Sequence, residues 1–230
     1  MSNQPNLGAG VGTAHGLERR SMIAASAVAG IVGPILFVLV VIVQSVLHPE
    51  YSQVRLPISG LAAWPGGWLQ SVNFIVFGLL MISFAIGLHL GVGPSRAGVI
   101  GPALLVVSGV GLMIAGFFPW RDANGDFVVP AGHLLGALLS FLGAGSGLIA
   151  VSRRMAADPR WRGVATYALG SGIAIVILFV ATFVLVIPPG ALLHTMGGLV
   201  QRVTLLVWFP CTVLLGLRLL RVARVVDAPH

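Results

Sequence analysis

The chain has 230 residues, of which 57% are hydrophobic and 8% are charged, and its mean hydropathy is +1.00. This small number of charged residues could not cover the surface of a water-soluble domain. The composition therefore predicts a protein of the lipid bilayer. The net charge is +7. Because the arginines lie at the ends of apolar segments, as anchors to anionic lipid headgroups do, we expect membrane lipids and not nucleic acid as partners.

Six apolar segments are long enough to cross a bilayer, since about 20 apolar residues span its hydrocarbon core. They predict an all-α, six-helix transmembrane domain over residues 21–222, with helices at 22–47, 69–90, 97–118, 131–151, 163–187 and 195–217. The first segment lacks the cleavage site of a signal peptide, so we expect it to remain as helix one. Residues 1–20 are polar and predict a disordered cytoplasmic tail, and residues 223–230 predict a second, short one.

The arginines are unevenly distributed among the segments that connect these helices. All 13 basic residues apart from histidine are arginines, and only Arg55, Arg121 and Arg202 lie in or near the connections that follow helices one, three and five. The other ten lie in or near the two tails and the remaining connections. Because basic residues are retained in the cytoplasm during insertion, the pattern predicts that both termini lie inside and that three helical hairpins point outward.

A six-residue pattern occurs twice at the start of a predicted helix. Residues 29–34 read Ala-Gly-Ile-Val-Gly-Pro and residues 97–102 read Ala-Gly-Val-Ile-Gly-Pro. One interpretation is a repeated two-helix unit that enters from the inside, turns outside and returns. The other is chance, because glycine, alanine and aliphatic residues are common in any bundle of membrane helices.

Most side chains that could perform chemistry lie at the predicted outer end. The candidate ligand-binding residues there are Ser59, Gln70, Asn73, Arg121, Asp122, His133, His194 and Arg202. We expect helix six to begin near residue 191, after two prolines and a glycine, which places His194 and Gln201 on one stripe with Arg202 beside them. An arginine at mid-membrane costs about 2.5–3.5 kcal/mol on insertion scales, so Arg202 should face protein, water or lipid headgroups.

The same residues could also form a catalytic or metal centre. His133, His194 and Asp122 are residue types that zinc accepts, but their spacing matches no known zinc motif, so we expect neither a metal nor another cofactor. Ser59 lacks the Gly-x-Ser-x-Gly pattern of serine hydrolases. The structural alternative is an ion-paired cap in which Arg121 or Arg202 neutralises Asp122.

Several motifs in the chain resemble a known family. They are Gly33-Pro34-Ile35-Leu36-Phe37, His48-Pro49-Glu50-Tyr51-Ser52 with Ser59, Gly66-Gly67-Trp68 with Gln70 and Asn73, Phe118-Pro119 with Asp122, His133, and Gln201-Arg202. Over residues 29 to about 221 the chain resembles the bacterial integral-membrane proteins catalogued as domain of unknown function 998 (DUF998).

The resemblance implies a six-helix protein of the inner (plasma) membrane with no assigned activity. Its implied polar signature is Ser59, Gln70, Asn73, Asp122, His133 and Arg202. The acidic position departs from the family by one residue, because this chain has Phe118-Pro119-Trp120-Arg121-Asp122 where the family usually has Phe-Pro-x-Asp.

Three functions remain open at this stage. In the first, an outward-facing polar pocket binds a lipid or small amphiphile whose anionic head is held by Arg121 and Arg202, because a guanidinium matches phosphate or carboxylate. In the second, the same pocket hydrolyses a lipid, with His133 or His194 as base or metal ligand and Asp122 as its orienting partner. In the third, the protein is a structural subunit that assembles with a membrane partner or with copies of itself.

Overall fold

The computed structural model describes residues 7–123, 126–188 and 190–225. Six α-helices make up most of this part of the chain: α1 (Leu7–Leu47), α2 (Trp68–Val92), α3 (Arg96–Phe117), α4 (Ala131–Ala156), α5 (Arg162–Leu185) and α6 (Gly197–Val225). All six are long and apolar enough to cross a membrane. The all-α six-helix bundle predicted from the sequence is thereby confirmed.

Helices that are neighbours in the chain pack against each other, and α6 packs against α1 to close a ring. Alternate connections therefore lie at opposite ends of the bundle. We call the end formed by residues 48–67, 118–130 and 186–196 the hairpin end. The other end contains residues 93–95 and 157–161 with the adjoining helix ends, and we call it the arginine end because most of the arginines lie there.

Several helix boundaries differ from the sequence-based prediction. At their C-terminal ends, α4 continues to Ala156 instead of ending near residue 151, and α6 continues to Val225 instead of ending near residue 217, so residues 223–225 of the predicted tail are helical. The starts of α1 and α6 differ as well. Helix α1 begins at Leu7, so residues 7–20 of the predicted tail are helical, while residues 1–6 lie outside the described residues. Extending an existing helix adds one hydrogen bond per residue without a new nucleation cost. Helix α6 begins at Gly197 and not near residue 191, because turns at Pro188–Ala191 and a 3₁₀ turn at His194–Met196 precede it.

The connections at the hairpin end contain structure that the sequence analysis did not anticipate. The first includes a 3₁₀ helix, Ile58–Ala63, and the second forms an exposed antiparallel pair of strands, β1 (Arg121–Ala123) and β2 (Asp126–Val128). The chain between these strands reads Asn-Gly, the dipeptide most typical of two-residue hairpin turns. This signal was present in the sequence and was missed.

Aromatic side chains fill the centre of the bundle. The Phe37 ring of α1 lies 5.3–5.5 Å, centroid to centroid, from the rings of Phe74, Phe77 and Phe209. Trp208 extends the cluster from α6, with its ring 5.9 Å from that of Phe77. All five residues are buried. Because lipid tails are as apolar as these side chains, close packing and not exclusion from water stabilises such a cluster in a membrane.

The two copies of the six-residue pattern correspond at one of their two pairs of glycines. A Cβ atom on Gly33 of α1 would lie 3.2 Å from the Phe77 side chain of α2, and a Cβ atom on Gly101 of α3 would lie 2.7 Å from Val151 of α4. Each of these corresponding glycines therefore packs against the next helix in the chain. The other pair differs, because a Cβ atom on Gly30 would meet Phe84 of α2, whereas one on Gly98 would meet the turn before α3. The repeat and the chance interpretation therefore both stay open.

Candidate functional site

The first connection of the hairpin end encloses the guanidinium group of Arg202. Its Nη1 donates to the carbonyl oxygens of Gln53, Leu56 and Gly198 at 2.5, 3.2 and 3.1 Å, and its Nη2 donates to the Tyr51 hydroxyl at 3.2 Å. All four acceptors are uncharged. Among the described residues, the positive charge of Arg202 is therefore stabilised by dipoles and not by a carboxylate.

The same connection satisfies the start of helix α6. The first N–H groups of a helix have no acceptor within the helix itself. Here the Gly198 N–H donates to the Arg55 carbonyl at 3.2 Å, and the Leu199 N–H donates to the Val54 carbonyl at 3.0 Å. In the opposite direction, the Ile58 N–H of the loop donates to the Gln201 side-chain carbonyl at 2.5 Å. A Cβ atom on Gly198 would collide with the loop carbonyls. The glycine therefore allows the loop to approach closely enough to reach Arg202.

Tyr51 holds the loop in this conformation. Its hydroxyl lies 2.9 Å from the carbonyl oxygens of both Leu56 and Pro57, donates to one of them at a time, and accepts from Arg202. Burial raises the pKa of the Tyr51 hydroxyl, while the hydrogen bond and the charge of Arg202 lower it. The net pKa is raised, so the hydroxyl stays protonated at neutral pH and remains a donor to the loop.

A groove of about 620 Å³ runs along the outside of the bundle between α1 and α6. Its walls are mainly apolar side chains, among them Ile35, Leu39, Ile42, Leu206 and Val213. Its polar lining residues are Ser45, Gln53 and Arg202, which lie towards the hairpin end. Several of the apolar lining residues are exposed, and Leu206 is 71% exposed. The groove is thus open to the side of the bundle, its walls are apolar along most of its length, and one cation lies near its end.

The length of the groove matches one half of a bilayer. Its lining extends from Pro34 to Val46 on α1 and from Arg202 to Val213 on α6, which is about 16–18 Å at the helical rise of 1.5 Å per residue. The hydrocarbon core of a bilayer is about 30 Å thick, so each leaflet contributes about 15 Å. Pro34 and Pro210 both line the groove, and each removes a hydrogen bond from its helix and disfavours a straight path.

Two of the predicted ligand-binding residues, Gln70 and Asn73, join α1 to α2. The Gln70 side-chain carbonyl accepts from Gln44 Nε2 at 2.8 Å and from Asn73 Nδ2 at 3.4 Å, and Asn73 Nδ2 also lies 3.2 Å from the Phe37 carbonyl oxygen. All three amide side chains are buried, and none of them lines the groove. Gln44 was not among the predicted site residues.

Ser59 and His133 line a second, much smaller cavity, of about 30 Å³, at the centre of the bundle. His133 Nδ1 lies 3.0 Å from the Ala115 carbonyl oxygen and 3.1 Å from the Phe118 carbonyl oxygen. Since a carbonyl oxygen can only accept, Nδ1 carries the hydrogen, and Nε2 is left as the acceptor of the neutral ring. This cavity has room for water but not for a lipid headgroup.

The remaining predicted residues lie at the surface of the hairpin end. Arg121 and Asp122 are exposed on strand β1. His194 is exposed in the 3₁₀ turn before α6, where its Nδ1 lies 2.8 Å from the Val186 carbonyl oxygen. The structure thus groups Gln70 with Asn73, Ser59 with His133 and Arg121 with Asp122. Within the described part of the chain, no three His, Cys, Asp or Glu side chains form a group that could hold a metal ion.

Aromatic rings cover the hairpin end above the central cavity. Trp64 lies 6.3 Å, centroid to centroid, from both Tyr51 and Phe127, and Trp120 lies 6.5 Å from Phe127 and 6.2 Å from His133. Phe127 belongs to strand β2. Through it, the β-hairpin contacts Trp64 of the first connection and Trp120, whose ring lies against His133. The first and second connections therefore pack together over the cavity.

Six membrane-length helices closed into a ring, with a polar end and a lateral groove, define a multi-pass membrane protein. A family model described as "Protein of unknown function (DUF998)" matches residues 31–218, and the chain belongs to this family. The resemblance noted from the sequence motifs is thereby confirmed. No curated protein and no solved structure matches the chain.

Proposed function

We propose that this protein binds a membrane lipid or small amphiphile with an anionic headgroup in the groove between α1 and α6. The observation that carries the proposal is the position of Arg202. Its hydrogen bonds to described residues all go to neutral oxygens, and it lies near the end of an apolar groove that is open to the side. A phosphate or carboxylate head at Arg202 would supply the counter-charge.

The electrostatics of the groove favour an anion at this end. A guanidinium has five N–H donors, and two Nη1 hydrogens already serve three carbonyl oxygens while Nη2 donates to Tyr51. The Nε–H group and the second Nη2–H group can donate to a phosphate or carboxylate oxygen. The N-terminal end of α6 adds a partial positive charge on the same side. Coulomb attraction is stronger at the edge of the hydrocarbon core than in bulk water.

The apolar part of the groove supports a lipid as the source of this anion. Its length of about 16–18 Å, from the helical rise, is close to the thickness of one leaflet. The exposed apolar wall residues, such as Ile42 and Leu206, face the region where lipid tails lie. The occupant that fits is a lipid of the leaflet on the hairpin side, with its chain along the groove and its head at Arg202.

We also propose that the protein resides in the inner (plasma) membrane of a bacterium with both termini in the cytoplasm. The distribution of the arginines between the two ends of the bundle supports this orientation. A structural subunit with a membrane partner or with copies of itself remains a separate hypothesis, which copurification from native membranes would test.

The hydrolase hypothesis is less well supported by the geometry. Ser59 and His133 share only the 30 Å³ cavity, where no ester or headgroup fits. The His133 Nδ1 is held by backbone carbonyls, and Asp122, its expected orienting partner, lies on the exposed β-hairpin.

Native mass spectrometry of the purified protein titrated with phosphatidylglycerol tests the lipid proposal, with zwitterionic phosphatidylcholine as the comparison lipid. Hydrogen bonds to charged groups contribute about 1.5–3 kcal/mol. Arg202→Gln should therefore weaken phosphatidylglycerol binding by about tenfold or more, while Arg224→Gln at the arginine end should leave it unchanged. Equal affinity of Arg202→Gln and the wild type for phosphatidylglycerol would refute the headgroup site.

A steric variant tests the apolar part of the groove separately. Leu206→Trp should obstruct the groove and weaken phosphatidylglycerol binding without altering the Arg202 contacts. Ile177→Trp provides a matched control, because Ile177 is also exposed, at 61%, but lies on α5 outside the groove lining. Similar binding by the two tryptophan variants would show that the lipid lies elsewhere.

A further inference from the structure

Trp208 carries a buried donor for which the described residues supply no acceptor. Its indole Nε1 lacks a hydrogen-bond partner, and the residue is 1% exposed. Burying an N–H group without an acceptor costs about 1–3 kcal/mol, and such a group bonds to an ordered water only where a cavity beside it has room for one. Trp208 lines the 30 Å³ cavity at the bundle centre, which is where such a water would lie.

The other polar lining residues provide the complementary groups. His133 Nδ1 is committed to two backbone carbonyls, so Nε2 is the acceptor of the neutral ring. The Ser59 hydroxyl can both donate and accept. Gln201 uses its side-chain carbonyl to accept from the Ile58 N–H, which leaves its amide N–H groups as further donors. The cavity therefore combines an indole donor, an imidazole acceptor and two serine residues, of which Ser140 already donates its hydroxyl hydrogen to the Gly136 carbonyl.

We propose that this cavity is a binding site for a buried water molecule that accepts from Trp208 Nε1, donates to His133 Nε2 and bonds to the Ser59 hydroxyl. A cavity in which the centre of a water molecule has about 10–15 Å³ or more of space holds one water, which needs two to four polar partners. The observed 30 Å³ meets this condition and excludes an organic ligand. The water joins the 3₁₀ helix of the first connection to α4 and α6.

The water site is distinct from the lipid groove. Four side chains, Phe37, Ile58, Leu205 and Phe209, line both spaces and form the wall between them. The lipid groove opens sideways and has Arg202 near its end, whereas His133 and Trp208 line only the inner cavity. Water binding in the inner cavity therefore does not depend on lipid binding in the groove.

Nuclear magnetic resonance of the full-length protein in lipid nanodiscs, with ¹⁵N-labelled tryptophan, tests the site. The Trp208 indole proton should show a cross-peak to the water resonance. Trp161 is a matched control, since it is 0% exposed and its Nε1 also lacks a partner, but it lies at the arginine end outside the cavity. A Trp208 proton with no water cross-peak, or an equal cross-peak at Trp161, would overturn the proposal.

Two variants show whether the water lies in this cavity. Ala137 lines it, so Ala137→Val should fill the space and abolish the Trp208 cross-peak while leaving phosphatidylglycerol binding unchanged. Ser59→Ala removes only one partner and should reduce the cross-peak at least twofold, which provides a second measurement if the valine variant does not fold. A cross-peak that keeps its full intensity in the folded variants would show that the water lies elsewhere.

Discussion

At the arginine end, the Arg160 guanidinium lies against the Asp158 carboxylate, with Nη2 and Oδ2 2.8 Å apart. At the hairpin end, the Arg202 guanidinium lies against three carbonyl oxygens and one hydroxyl. A carboxylate neutralises a cation, whereas dipoles stabilise it and leave its net charge in place. We therefore expect an anionic ligand at the hairpin end, although most of the arginines lie at the arginine end.

The arginine end uses its cations mainly to hold helix ends together and to face water. Arg218 Nε donates to the Arg160 carbonyl at 2.5 Å, and Arg19 Nη2 donates to the Leu90 carbonyl at 2.7 Å. The Arg160 side chain is 42% exposed, so salt and solvent screen its charge. At the hairpin end, by contrast, the cation of Arg202 lies at the end of an apolar groove.

The largest expected effect is a difference in labelling, because the two ends are predicted to lie on opposite sides of the membrane. In a Cys211→Ser background, cysteines at Ala123 and Ala157 are both at exposed positions of connecting segments. An impermeant maleimide applied to intact cells should label Ala123→Cys and should label Ala157→Cys only after permeabilisation, because arginine-rich connections are retained inside. Labelling of Ala157→Cys in intact cells would reverse the orientation.

The contribution of Arg202 to stability is expected to be the next largest effect. Arg202→Ala removes the donor to three loop carbonyls and to Tyr51, and it should lower the free energy of unfolding by about 2–3 kcal/mol. Arg224→Ala, at an exposed position of the arginine end, should change it by less than about 0.5 kcal/mol. Thermal unfolding in detergent measures both variants, and equally small shifts would show that Arg202 merely extends to the headgroups.

The buried amide side chains of Gln44, Gln70 and Asn73 are expected to contribute to the stability of the fold and not to lipid binding. Gln70→Leu removes the acceptor shared by Gln44 and Asn73, and it should lower stability by about 1–2 kcal/mol. Because these residues do not line the groove, phosphatidylglycerol binding should be retained. If binding by Gln70→Leu fell as far as that of Arg202→Gln, the amide cluster would belong to the ligand site.

The smallest expected effect concerns the ion pair of the arginine end. Arg160, chiefly through its side-chain hydrogen bond, holds the pKa of Asp158 below its ordinary value. The pair therefore stabilises the fold above the ordinary aspartate pKa of about 4, and this contribution is lost as the pH falls through the lower pKa of the folded protein.

For this partly exposed pair, Asp158→Asn should cost about 0.2–1 kcal/mol at pH 7. The difference from the wild type should vanish in acid, below the folded-state pKa of Asp158. Melting temperatures of both proteins in detergent from pH 7 to pH 3 measure it, and a pH-independent difference would show that the carboxylate charge is not involved.

The candidate site could be predicted from the sequence only in part. Arg202 was predicted to face protein, water or lipid headgroups, and Asp122 was its partner only in the alternative of an ion-paired cap. Its observed acceptors are backbone carbonyls and Tyr51. Backbone acceptors leave no signal in residue types, because every residue has a carbonyl. Gln44 was likewise missed as the partner of Gln70, since the rotation of each helix about its own axis depends on packing.

Hydropathy, segment length and arginine distribution by themselves determined the six membrane spans and the predicted orientation. These properties suffice because a segment in lipid must satisfy its own backbone hydrogen bonds, and a helix of about 20 apolar residues does so locally. Only the tertiary structure decided that α6 closes on α1, which creates the groove and brings the first connection to Arg202. Contacts between segments about 150 residues apart depend on how the whole ring packs, and hydropathy is nearly the same on every side of such helices.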